Sequence, residues 1–168
     1  MFKIFKKKEE DRPFNVAAGK TAPGSGIQYS PKLIKELEDD HKALVNLYKE
    51  AANAIERRDG AALRRNLGQL KDSLTGHLLK ENLKLYAYMN HCYRNDAEGV
   101  DLIKGFRNDM TQIGKVVFNF LSKYTAPGAK FDLAFKKEFD AIGEALVRRI
   151  ESEEKQLYPL YMSPENYE

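Results

Sequence analysis

The sequence predicts an all-α fold, an antiparallel up-down-up-down four-helix bundle with a disordered N-terminal tail. Four long segments repeat apolar residues at three- and four-residue steps, which is the spacing of amphipathic helices. Short turns containing glycine, proline or aspartate separate them, and short connections favour antiparallel neighbours. No segment shows the alternating pattern of a half-buried β-strand. We therefore assign residues 1–29 to the tail and residues 30–168 to one helical domain.

The predicted tail carries the excess positive charge of the chain. Six of the 28 basic residues and three of the 25 acidic residues lie in residues 1–29, so the bundle carries 22 of each sign. A balanced bundle offers no basic face for phosphates, and we expect no nucleic-acid partner. Phe2, Ile4 and Phe5 beside a lysine run allow a weak membrane contact, although the composition favours a solubilising disordered leader.

Targeting signals and catalytic motifs are both missing from the sequence. Cys92 is the single cysteine, which excludes an intramolecular disulfide. The chain has neither the apolar run of a signal peptide nor the roughly 20 apolar residues of a membrane span. It also has no nucleophile elbow, phosphate loop or catalytic triad. We expect a cytoplasmic protein that is not an enzyme.

The first helix is predicted to start at Ser30-Pro31, because serine caps helix N-termini and proline suits the first helical position. Its apolar stripe, with His41 on or beside it, ends before residues 57–60, and the second helix is predicted over residues 61–90. The inward residues of these two helices are Leu33, Leu37, Leu44, Leu47, Tyr48, Ala51, Ile55, Leu63, Leu67, Leu70, Leu74, His77, Leu78, Glu81, Leu85, and Tyr88 or Met89.

The third helix is predicted to begin at a cap formed by Asn95 or Asp96 and to end at Tyr124. The fourth is predicted from about Lys130 to Tyr161, with Pro159 ending or kinking its last turn. The inward residues of these helices are Leu102, Phe106, Met110, Ile113, Val117, Phe120, Leu121, Leu133, Phe135, Phe139, Ile142, Leu146, Ile150, Glu153, Leu157 and Leu160.

The two halves of the chain repeat. The second helix contains HLLKENLKLY from His77 to Tyr86, and the fourth contains RIESEEKQLY from Arg149 to Tyr158. Glutamate, leucine and tyrosine occupy the same places in both copies, whereas the first place holds histidine in one copy and arginine in the other. The first and third helices repeat more weakly. In that alignment His41 of the first helix pairs with Met110 of the third.

This repeat places metal-binding side chains on inward helix faces. His77 and Glu81 are one helical turn apart and can reach the same ion from one face. With His41 from the first helix and Glu153 from the fourth, they form most of a nitrogen and oxygen cage that suits iron or manganese. An ordinary helical pair remains the alternative interpretation of His77 and Glu81.

These motifs resemble the hemerythrin-like, or HHE cation-binding, family over about residues 31–161. The resemblance rests on DDH in the first helix, H-x3-E in the second and EE-x2-LYP in the fourth. It implies a duplicated four-helix bundle that holds a di-iron centre and binds oxygen or senses iron and redox state. The positions that match the ligands of this family are His41, His77, Glu81 and Glu153.

Two positions depart from the family pattern. Met110 stands where the third helix would offer histidine or glutamate, and Arg149 stands where the fourth would offer histidine. A thioether is a poor ligand for hard iron, and a guanidinium has no free lone pair. Arg149 could supply the positive charge that a metal would bring to buried carboxylates. We therefore predict an interior polar network in which Arg149 and Met110 replace ligands. The chain then binds one iron ion, two iron ions or none.

A second, shorter similarity concerns residues 142–155, IGEALVRRIESEEK, and the Thr75-Gly76-His77 segment. These patches resemble the regulator-of-sigma (Rsd/AlgQ) family, which implies a metal-free protein that binds a sigma factor. Two hypotheses follow. The first is weak metal binding for oxygen, redox or iron sensing, and the second is a metal-free regulator that binds a protein partner such as a sigma factor or another signalling protein.

Overall fold

A computed structural model describes residues 20–23 and 25–167. The helices are α1 (Leu33–Glu56), α2 (Gly60–Lys80), α3 (Ala87–Cys92), α4 (Ala97–Thr125) and α5 (Leu133–Ser152). π-helical turns cover Glu81–Tyr86 and Glu153–Leu157, and 3₁₀ turns cover Tyr158–Leu160 and Pro164–Tyr167.

The predicted four-helix bundle is confirmed. The backbone stays helical from α2 through the first π turn into α3, so these three elements form the second long helix of the bundle. Helix α1 packs on α2, α2 on α4, α4 on α5, and α5 back on α1. These contacts close a ring of four helices around a shared interior.

Aspartate side chains fix the starts of three helices. Asp59, Asp96 and Asp132 each accept a hydrogen bond from a first-turn amide of α2, α4 and α5, as expected of N-caps. The predicted start of α1 at Ser30-Pro31 is wrong by two residues. The Ser30 carbonyl accepts the amide of Leu33 in a turn, and the helix begins only there.

The sequence predicted continuous α-helix where the structure has π turns. Both π turns begin at the glutamate of the repeat, Glu81 in one copy and Glu153 in the other. Insertions of this kind occur often at functional sites. The fourth long helix also starts three residues later than predicted, and Pro159 lies in the 3₁₀ turn that ends it.

A layer of buried polar residues separates two apolar clusters. One cluster lies toward the end of the bundle that holds Leu67 and Phe135, and the other lies toward the end that holds Tyr88 and Leu157. Along α1, the second long helix and the fourth, the polar residues fall between members of the two clusters. The buried polar residues of the described chain are His41, His77, Glu81, Arg149 and Glu153.

Two predicted core positions are wrong. Leu102 is 46% exposed while its neighbour Ile103 is fully buried, so Ile103 and not Leu102 holds the inward position in this turn of α4. Leu133 is 70% exposed because it is the first residue of α5, at the end of the bundle. Leu102 lies in the second turn of α4, so its error is one of helical phase, whereas the error at Leu133 is one of position at the helix end.

Part of the predicted tail packs on the bundle. Thr21 and Gln28 form an antiparallel bridge, Ala22 is fully buried, and Tyr29 stacks on Tyr161 with ring centroids 5.0 Å apart. The predicted basic leader with its membrane contact falls on residues 1–19, which lie outside the described residues. None of the described helices combines the length and apolar character that a membrane crossing requires.

Candidate metal centre

The four residues predicted as metal ligands lie together in the polar layer. His41 comes from α1, His77 from the last turn of α2, and Glu81 and Glu153 from the first positions of the two π turns. One ligand atom from each lies within 4.8 Å of the others, and each residue is at most 3% exposed. A set this close and this buried can surround a single ion.

Each histidine places its two ring nitrogens in different surroundings. Nε2 of His41 lies 3.2 Å from Oε2 of Glu153, inside the cluster, while its Nδ1 lies 2.8 Å from Oε1 of Glu154 at the edge of the bundle. Burial disfavours the charged ring, but hydrogen bonds with Glu153 and Glu154 outweigh it and raise the pKa of His41 above its ordinary value. Glu154 therefore orients this ring with Nε2 toward the centre.

His77 is oriented in a similar way by Asp40. Its Nδ1 lies 3.4 Å from Oδ2 of Asp40, and its Nε2 lies 3.7 Å from Oε1 of Glu81. Lys80 binds the same Asp40 oxygen at 2.7 Å and holds it in place. Burial, and then the neighbouring His41, lower the pKa of His77 below its ordinary value. This ring is therefore neutral, as a metal-binding imidazole must be.

Arg149 lies inside the cluster and is paired. Its Nε donates to Oε1 of Glu153 at 2.6 Å, and one terminal nitrogen donates to the Tyr86 hydroxyl at 3.0 Å. The guanidinium carbon also lies 5.3 Å from the centre of the Phe106 ring. Arg149 thus neutralises one oxygen of Glu153 and leaves the other oxygen facing His41.

Glu81 has one bonded and one unbonded oxygen. The Tyr158 hydroxyl donates to Oε1 at 3.0 Å, whereas Oε2 is buried without a hydrogen-bond partner. Burial, and then the negative charge of Glu153, raise the pKa of Glu81 to about 8. Among the described residues, Oε2 of Glu81 is the buried side-chain polar atom that has no hydrogen-bond partner. Such atoms often mark the place of an unseen ligand.

The family profile described as "Hemerythrin HHE cation binding domain" matches residues 32–161, which include both copies of the repeat and all four clustered residues. This chain belongs to the hemerythrin HHE family. Hemerythrin-like domains bind metal ions. Searches among curated proteins and among solved structures each found no match. The resemblance to the regulator-of-sigma family finds no support in these comparisons.

The residues of this HHE domain fit a metal ion. Two imidazoles and two carboxylates are nitrogen and oxygen donors of the kind that iron, manganese and zinc accept. The unsatisfied Oε2 of Glu81 supplies an electron pair with no other partner in the described chain. The outer carboxylates of Asp40 and Glu154 orient the two histidines, as second-shell groups commonly do in metal sites.

Met110 contributes to access and not to ligation. It is buried on α4 and lines a cavity of about 230 Å³ that reaches the cluster. His41, His77, Arg149 and Glu153 form the polar end of this cavity. The remaining walls are mostly apolar and come from Leu44, Val45, Tyr48, Lys49, Leu74, Gly143, Leu146, Val147 and Ile150. The cavity therefore lies directly beside the candidate centre of the HHE domain.

Four residues of the centre were missed by sequence reasoning as site residues. Tyr86 and Tyr158 were noted only as members of the repeat, but their hydroxyls bond to Arg149 and to Glu81. The repeat contained a signal for them, because tyrosine occupies the same place in both copies. Asp40 and Glu154 also lie in the DDH and EE-x2-LYP motifs, but those motifs do not indicate that the two carboxylates face the histidine rings.

Proposed function

We propose that this HHE domain binds one metal ion, iron in the first instance, through His41, His77, Glu81 and Glu153. The bound ion senses oxygen, redox state or iron in the cytoplasm. The protein acts in binding and regulation and does not catalyse a reaction. The observation that carries the proposal is the unsatisfied Oε2 of Glu81 inside a cluster of four donors within 4.8 Å. A bound iron ion would supply positive charge and redox exchange at this point.

The charges of the cluster favour a cation. Glu81 and Glu153 carry two negative charges when both are ionised, and Arg149 offsets one of them. In the metal-free protein the second charge is avoided by keeping a proton on Glu81, as its raised pKa indicates. A metal ion would replace this proton, so binding releases protons and strengthens as the pH rises toward 8.

A sensing role is supported by the shape of the access path. The cavity beside the cluster has a volume of about 230 Å³ and is lined mainly by aliphatic side chains. A small uncharged molecule can enter such a space without losing strong hydrogen bonds to water. The cluster itself is almost fully buried, so a ligand of the ion must approach through the helices.

Metal analysis of the purified full chain tests the proposal. We expect the protein expressed with iron to retain iron close to one ion per chain, and His77→Ala to lose most of it. His91→Ala is the matched control, because His91 lies outside the cluster at the end of α3. Trace iron in the unsubstituted protein, or equal iron in both variants, would refute the proposed metal site.

A second candidate is a metal-free regulator that binds a protein such as a sigma factor. The specific observation in its favour is the Arg149–Glu153 contact of 2.6 Å, which supplies a positive charge without any ion. Size-exclusion chromatography of the purified metal-free protein with a purified sigma factor tests this candidate. A stoichiometric complex would support it, and separate elution would refute binding of that partner.

A further inference from the structure

The Tyr158 hydroxyl contacts two of the four clustered residues, which come from different helices. Its oxygen is 3.1 Å from Nε2 of His41 and 3.0 Å from Oε1 of Glu81. The side chain is 3% exposed, and its ring stacks on the His41 ring with centroids 5.6 Å apart. The 3₁₀ turn that begins at Tyr158 follows directly on the π turn that starts at Glu153, so one short segment positions both side chains.

We propose that Tyr158 is a fifth ligand of this centre and binds ferric iron through its phenolate oxygen. This inference rests on the proposed function, because it requires an ion held by the four clustered residues. A phenolate is a hard oxygen donor of the kind that ferric iron accepts. The hydroxyl needs little movement, since it already contacts a ligand nitrogen and a ligand oxygen.

The charges around the centre give a reason for a third anionic ligand. Ferric iron and Arg149 together carry four positive charges. Glu81, Glu153 and the outer Glu154 carry three negative charges, while Asp40 and Lys80 offset each other. At least one positive charge remains at the buried groups, because the Glu154 side chain is 39% exposed and its charge is partly screened by water, and unbalanced buried charge is costly. The Tyr158 phenolate cancels it.

Binding is a ligand exchange without a change of oxidation state. The O–H bond of Tyr158 breaks, a bond forms between its oxygen and ferric iron, and the proton leaves to solvent. In the metal-free protein that proton lies in the hydrogen bond to Oε1 of Glu81. No oxidant or reductant is needed, because the iron enters already as ferric iron.

Tyr86 is the natural control for Tyr158. It holds the same place in the other copy of the repeat and is equally buried. Its hydroxyl accepts a hydrogen bond from Arg149 at 3.0 Å. That cation keeps an iron ion away from the Tyr86 oxygen through like-charge repulsion. The two tyrosines of the repeat therefore differ in role because one copy begins with His77 and the other with Arg149.

Resonance Raman and visible absorption spectra of the ferric protein test the inference. The metal-free full chain is loaded with ferric citrate, separated from excess iron by gel filtration, and analysed for iron. We expect a visible phenolate-to-iron charge-transfer band with tyrosinate ring vibrations in the Raman spectrum. Both should persist in Tyr86→Phe and disappear in Tyr158→Phe, which should still bind iron with roughly 10- to 100-fold lower affinity.

The outcomes separate this inference from the proposed function. Bound iron without tyrosinate vibrations, or vibrations unchanged in Tyr158→Phe, would overturn the phenolate ligand and leave the metal site intact. A chain that retains no iron would overturn both. If Tyr158→Phe fails to fold, Tyr86→Phe and Tyr48→Phe complete the test, because Tyr48 lines the cavity beside the cluster. Persistence of the band in both supports Tyr158, and its loss in either overturns it.

Discussion

Replacing Glu81 with glutamine is expected to stabilise the metal-free protein at neutral pH. Burial and the charge of Glu153 raise the pKa of Glu81 from its ordinary value of 4.5 to about 8. Folding therefore requires this carboxyl to hold a proton that the unfolded chain releases above pH 4.5. Glutamine is neutral throughout, and its amide oxygen can accept the hydrogen bond that Tyr158 now donates to Oε1.

The direction and size of this effect follow from the raised pKa. The contribution of Glu81 to stability is fully present below about pH 4.5 and falls as the pH rises toward 8. Each pKa unit corresponds to roughly 1.4 kcal/mol, so the loss at pH 7 is on the order of 3 kcal/mol. For a chain of this length, Glu81→Gln should raise Tm at pH 7 by about 6–12 °C.

Thermal unfolding followed by circular dichroism, in a metal chelator, measures the difference at two pH values. The gain of Glu81→Gln should be large at pH 7 and absent near pH 4, where wild-type Glu81 is protonated in both states. Glu138→Gln is a suitable control, because its hydrogen bond from Lys123 lowers the pKa of Glu138 and gives the opposite sign. A gain that is equal at both pH values, or no gain, would refute the reasoning.

Two further substitutions test the packing around the centre. Arg149→Met leaves Glu153 buried without its cation and should lower the free energy of unfolding, measured by urea denaturation, by about 3–5 kcal/mol. Iron loading should restore part of this loss. Stability equal to wild type would contradict the pairing of Arg149 with Glu153. Gly143→Ala would place a methyl group against the Tyr48 hydroxyl, which now donates to the Phe139 carbonyl at 2.9 Å, and should cost about 1–3 kcal/mol. Gly68→Ala is the control for Gly143→Ala, because no atom lies near the position that the added methyl group would take. There alanine should stabilise the helix relative to glycine by up to about 1 kcal/mol. Equal effects at the two sites would be inconsistent with the close contact at Gly143.

The helices and the clustering of His41, His77, Glu81 and Glu153 could be predicted because both depend on periodic spacing. Apolar residues every three or four positions gave the four long helices, and the Asp96 cap was one of two candidates named for α4. The repeat placed Glu81 and Glu153 on inward faces, and both are 1% exposed. One-dimensional spacing is sufficient for such features, because a helix converts it directly into a shared face.

The π turns and the outer carboxylates could not be predicted from spacing. A π turn adds one residue between hydrogen-bonded partners, and the pattern of apolar residues beyond Glu81 does not record where it is inserted. Asp40 and Glu154 acquire their roles only from the rings they face across the bundle. The packing of residues 20–23 and 25–29 was also missed, because proline and glycine indicate turns and linkers equally well.

X-ray absorption at the iron edge of the iron-loaded full chain is the most direct test of the centre. The spectrum should show a first shell of nitrogen and oxygen neighbours only, with outer scattering from two imidazole rings, those of His41 and His77. In the small fraction of iron that His77→Ala retains, the imidazole scattering per iron should decrease by half. A sulfur neighbour, a shell without imidazole, or a chain that retains no iron would contradict a metal ion held by His41, His77, Glu81 and Glu153.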